Sequence, residues 1–101
     1  VWHDSLESLA AHAPEVPLLL VANEFLDALP IHQYVGAGRQ ERVIVLAGDE
    51  LRFAPEGTVR EESPAREATV RTVAAMLVQR RGAALFIDYG HDGAGAGDTL
   101  Q

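Results

Sequence analysis

Two short runs of apolar residues limit what this chain can fold into more than any other feature. Pro17-Leu18-Leu19-Leu20-Val21-Ala22 is continuous rather than alternating, and Ala83 to Tyr89 is a second apolar run of strand length. A strand with apolar side chains on both sides is one covered on both faces, which is the habit of parallel sheets. Parallel neighbours need a long crossover, and the stretch between the two runs supplies it.

That stretch changes character twice. Ile31 to Val35, Arg42 to Leu46 and Leu51 to Phe53 are β-prone segments, separated by Gly36-Ala37-Gly38 and Gly48-Asp49-Glu50, and read as an antiparallel meander. Ser63-Pro64 then offers an N-cap with proline at the first helical position. Val70, Val73, Ala74, Leu77 and Val78 recur at helical spacing as far as Gly82. Before the first run, Asp4-Ser5-Leu6-Glu7 has the form of a capping box opening a short helix to about His12. Glu24 to Leu29 reads as another short helix. The second run opens into the glycine-rich stretch Gly90 to Gly97. One long helix and two short ones cannot cover both faces of a parallel sheet. More polypeptide, or a second copy of the chain as a homo-oligomer, is expected to pack against it.

The 101 residues fit one domain or a piece of one. A 48% hydrophobic and 23% charged composition excludes a disordered tail, and the longest apolar run, Val16 to Ala22, is too short for membrane insertion. Fifteen acidic residues against eight basic ones give a net charge of -7, which disfavours nucleic acid and anionic lipid and favours a cationic partner. The absence of cysteine excludes disulfides and thiolate metal sites and fits a reducing compartment. Val1 is not an initiator methionine, and no basic region followed by an apolar one precedes the first helix signal.

Val21-Ala22-Asn23-Glu24-Phe25-Leu26-Asp27-Ala28-Leu29-Pro30-Ile31-His32-Gln33 closely resembles a signature of MidA-like methyltransferases, a family that includes a mitochondrial arginine methyltransferase. Ala84-Leu85-Phe86-Ile87-Asp88-Tyr89-Gly90-His91, followed by Gly97-Asp98-Thr99-Leu100-Gln101, resembles the same family's later motif. The resemblance covers essentially the whole chain. It implies an α/β fold, the C-terminal part of a class I, Rossmann-like methyltransferase sheet with an inserted antiparallel β meander. Leu18 to Ala22 and Ala84 to Tyr89 would be its fourth and fifth strands, with the insertion at about 31–54 and the long helix at about 64–81. The implied cofactor is S-adenosylmethionine, held in this fold by a glycine-rich turn after the first strand and an acidic residue after the second. Neither element is present, so residues 1–101 read as a partial catalytic domain and the cofactor-binding residues fall outside them. The implied partner is a protein substrate, with a respiratory-complex subunit as one candidate. The implied location is the cytoplasm of a bacterium or the mitochondrial matrix of a eukaryote.

Asn23 and Glu24 leave the carboxyl end of a strand, where an open α/β sheet places its ligand crevice. The competing reading has Asn23 capping a helix over Glu24 to Leu29, with Glu24 favourable to its dipole. Asp27, three residues on, shares a helical face with Glu24, as substrate ligand or solvated surface. Asp88 and Tyr89 close the second strand, where a carboxylate needs a partner or a crevice. His91 has the chemistry of an acid or base near neutral pH, against the commoner role of an inert loop histidine. Asp98 and Thr99 are substrate contacts or local loop ties. His3-Asp4 and His91-Asp92 lack metal-ligand spacing, so no metal is expected. The expected activity is methyl transfer from S-adenosylmethionine to an arginine nitrogen of a protein. Asn23, Glu24, Asp88 and Tyr89 would be catalytic, and Asp27, His91 and Asp98 substrate-binding. The alternative from another class is a non-catalytic protein-interaction module. A hydrolase using Asp88 with His91 is weaker, since no serine or cysteine sits in a nucleophile elbow.

Overall fold

The elements of the computed structural model, which describes residues 1–12, 15–90 and 99, run in the order α1 (Leu6–Ala11), β1 (Leu19–Asn23), β2 (His32–Val35), β3 (Gln40–Glu41), β4 (Val43–Ala47), β5 (Glu50–Ala54), β6 (Val59–Glu62), α2 (Pro64–Arg80) and β7 (Ala83–Ile87). The chain is mixed α/β and divides into two compact units. The first is Val1–Pro30 with Pro64–Tyr89; the second is Ile31–Ser63 with Gly90 and Thr99. No helix among the described residues is long and apolar enough to cross a membrane.

In the first unit the two apolar runs are parallel neighbours, with Leu19 opposite Ala83 and Asn23 opposite Ile87. The ladder extends past both ends of the strands: Ala83 N donates to Leu18 O at 2.9 Å and Glu24 N to Ile87 O at 2.7 Å. Gly82 sits so close to β1 that an added Cβ would lie 2.0 Å from Leu18 O. The expected burial on both faces does not hold here. Leu20, Ala22, Ala84 and Phe86 are partly covered, while Leu19, Val21, Leu85 and Ile87 on the opposite face are exposed.

α2 touches β7, and α1 touches α2. The covered stripe of α2 runs through Thr69, Val73, Met76 and Arg80, with Val73 and Met76 buried. It is rotated from the expected stripe, since Val70, Ala74 and Val78 are exposed. Apolar residues lie all round this helix, so spacing alone does not choose the inward side. α1 begins one residue later than its capping box suggests: Ser5, not Asp4, is the N-cap, and its hydroxyl accepts from Ser8 N at 3.1 Å. At the other end Arg80 donates to Leu9 O at 3.0 Å and Ala10 O at 3.3 Å, serving carbonyls that the short helix leaves unmatched.

The second unit is not a simple meander. β2 is the middle strand of an antiparallel sheet in the order β3-β2-β6, and β4 pairs with β5 in a separate hairpin turning at Gly48-Asp49. β6 was not anticipated, because Val59-Arg60-Glu61-Glu62 has a single apolar residue. Its polar side chains find partners instead. Buried Gln33 donates to Glu61 at 2.8 Å and accepts from Arg42 at 3.0 Å, and Arg42 lies over the Phe53 ring, 4.3 Å from its centroid. His32 stands opposite Glu62 in the register, so the two ends of this insertion meet.

Candidate active site at the carboxyl ends of the parallel strands

β1 and β7 deliver Asn23 and Asp88 to the same end of their ladder, and Glu24 and Tyr89 follow directly. The helix expected over Glu24 to Leu29 is absent. Residues 25–28 form turns, with Leu29 N donating to Leu26 O at 3.1 Å, and Glu24 adopts a left-handed conformation with φ 51°. Pro30 follows, and it cannot continue a helical ladder. The reading of Asn23 as a helix cap and of Glu24 as a dipole partner therefore falls with the helix. So does the helical face that Glu24 and Asp27 were expected to share.

The turn is held by side chains from later in the chain. Asp88 Oδ1 accepts from Leu26 N at 2.9 Å and from Asp27 N at 3.1 Å. Asp88 Oδ2 is buried and has no hydrogen-bond partner among the described residues. Arg66, in the first turn of α2, donates through Nε to Leu26 O at 2.8 Å and through Nη2 to Asp27 Oδ1 at 3.3 Å. Asp27 is thus already matched by a guanidinium of the chain itself. Glu24 is exposed, and its carboxylate has no hydrogen bond or ion pair among the described residues. Asn23 and Tyr89 are exposed beside it.

His91 and Asp98 lie outside the described residues. Thr99 donates through its amide at 2.9 Å and its hydroxyl at 2.6 Å to the two carboxylate oxygens of Glu61. Among the described residues no three His, Cys, Asp or Glu side chains are grouped to hold a metal ion. Sequence reasoning missed Arg66. A cation in the first turn of a helix opposes the helix dipole, and that misplacement was the available signal.

Asn23 and Asp88 thus stand at the carboxyl ends of two parallel strands, the edge at which open α/β sheets in general place a ligand crevice. Residues 1–54 match the model of the family described as "Putative S-adenosyl-L-methionine-dependent methyltransferase", and the chain belongs to that family. It is similar to the "Protein arginine methyltransferase NDUFAF7, mitochondrial" of Mus musculus, 32% identical over 99% of this chain, and to the protein of the same name from Danio rerio, 30% identical over 91%. The "Protein arginine methyltransferase NDUFAF7 homolog, mitochondrial" of Caenorhabditis elegans is 26% identical over 92% of the chain. The chain spans about a quarter, 26%, of the length of each of these relatives.

Family membership implies S-adenosylmethionine, and the groups at this edge can be tested against it. Buried Asp88 Oδ2 is a carboxylate oxygen in want of a donor, and Glu24 is an exposed acid. A carboxylate fits a cation or an N–H-bearing group, and of the two Glu24 is the one open to solvent. Neither fits the cofactor's own carboxylate, which they would repel.

Proposed function

We propose that this chain is part of an S-adenosylmethionine-dependent protein arginine methyltransferase, and that it supplies the side of the site that receives the guanidinium. The observation that carries this reading is the arrangement around Glu24. An exposed carboxylate is held at the carboxyl end of β1 on a turn pinned by Asp88, in a chain whose family is methyltransferase. When bound, the cofactor supplies a methyl group already activated on a sulfonium, so the protein has chiefly to align the acceptor nitrogen and match its charge. Glu24 would orient the guanidinium. Asn23 and Tyr89 would border it, and Asp88 would hold the turn that presents Glu24. Asp27 has its own arginine, so the substrate-binding role first expected of it passes to Glu24.

The cofactor's grip lies, on this reading, in further polypeptide that contributes the earlier strands of a class I sheet, with β1 and β7 as its fourth and fifth. The exposed apolar face of Leu19, Val21, Leu85 and Ile87, and the apolar residues all round α2, support such cover. The names of the relatives support a protein arginine as substrate and, for a eukaryotic protein, the mitochondrial matrix as location. A respiratory-complex subunit is the substrate class to try first.

The test is Glu24→Gln in the full-length protein, which removes one charge and almost no volume. Turnover on arginine-containing protein should fall by the equivalent of about 2–5 kcal/mol, as expected when one partner of a desolvated charge pair is lost. Cofactor affinity and melting temperature should stay where they were. Undiminished turnover would take Glu24 out of the site. A full-length protein that binds no S-adenosylmethionine by calorimetry would favour the non-catalytic interaction module instead.

A further inference from the structure

We infer that Arg66 is the positioning residue of the acceptor-side turn: its guanidinium grips the Leu26–Asp27 segment opposite Asp88 and thereby sets where Glu24 points. The inference rests on the reading of Glu24 given above.

The turn has little of its own to hold it. Its internal backbone bond is Leu29 N to Leu26 O, and its first residue is strained at φ 51°. The Leu26–Asp27 segment is nevertheless bound on both sides. Asp88 Oδ1 takes both of its amide protons, while Arg66 donates to the Leu26 carbonyl and to the Asp27 carboxylate. On the other flank, Glu24 N is tied to Ile87 O at 2.7 Å. Phe25 alone separates these anchors, so fixing Leu26 leaves Glu24 few backbone conformations to choose from. Arg66 is also suited to the task by its two-pronged donor geometry, which a lysine cannot reproduce.

Charge sharpens the point. Glu24, Asp27 and Asp88 gather three carboxylates at one strand end. By pairing with Asp27, Arg66 removes one of them from competition for a cationic substrate and leaves Glu24 as the exposed acid with no ion pair among the described residues. A salt bridge that is partly open to solvent contributes little stability, so the worth of this pair lies in placement.

The experiment uses Arg66→Gln and Arg66→Lys in the full-length protein, with two readouts. In the first, amide hydrogen exchange at Leu26 and Asp27 should quicken by about tenfold or more in Arg66→Gln, as local opening becomes easier, while the amides of β1 and β7 keep their protection. In the second, kcat for methyl transfer should fall about 10–100-fold in Arg66→Gln, the scale of loss expected from a misplaced group, with cofactor Kd unchanged. Arg66→Lys should recover only part of both effects. Unchanged exchange at Leu26 and Asp27 overturns the inference, as does a kcat per folded molecule that stays at the wild-type value. A full-length protein that methylates no arginine substrate at all defeats the functional reading, and the exchange measurement then still judges the brace.

Discussion

Asp88 shows how one carboxylate can divide its labour. Oδ1 closes two backbone amides of the turn, and Oδ2 is buried with no partner among the described residues. Asp88→Asn keeps an acceptor in place, whereas Asp88→Leu strands both amides. Leucine should therefore destabilise by about 1–3 kcal/mol more than asparagine, the cost of leaving donors unmatched, as read by urea unfolding. Equal stabilities would mean that Asp88 does not hold the turn. That Asp88 would need a partner or a crevice was legible in the sequence, because a carboxylate at the end of an apolar strand is costly without one. What it does there was not. Its partners, Leu26 and Asp27, lie 62 and 61 residues away, and bonds made by backbone amides leave no mark on side-chain identity. The partner of Arg66 was hidden for the same cause, since one of its contacts is with the Leu26 carbonyl.

At the level of elements, long apolar stretches were readable and polar ones were not. Both strand runs and the helix from Pro64 appear where spacing and proline put them. The helix over Glu24 to Leu29 failed because tertiary bonds from Asp88 and Arg66 won over local propensity, and β6 escaped notice because glutamates and arginine carry its pairing. The passage from α2 into β7 is tightly constrained. Arg81 takes a left-handed conformation, φ 55°, and Gly82 then passes against β1 with no room for a methyl group beside Leu18 O. Gly82→Ala should thus cost about 1–3 kcal/mol through forced displacement of backbone. Thermal unfolding gives the answer, and a melting temperature equal to wild type would contradict the close approach.

For the whole molecule the defining property is incomplete cover. The buried hydrophobic side chains among the described residues are Val59, Val73 and Met76, against exposed Leu19, Val21, Leu46, Leu51, Val78 and Leu85. So many bare apolar groups predict that the 101 residues alone self-associate or bind an apolar dye; light scattering that gives a monomer, with no dye signal, would refute this. The insertion bears on how such a molecule assembles in time. Joining Leu19 to Ala83 requires closing a long loop before any contact rewards it, which is the slow step of parallel pairing. His32 pairs with Glu62, so once Ile31–Ser63 has folded its ends already stand together and the remaining search spans a far shorter tether. Each halving of a flexible loop recovers only about 0.6 kcal/mol. By that measure the insertion slows the meeting of its flanking strands very little, and a sheet can carry such a passenger at almost no kinetic cost.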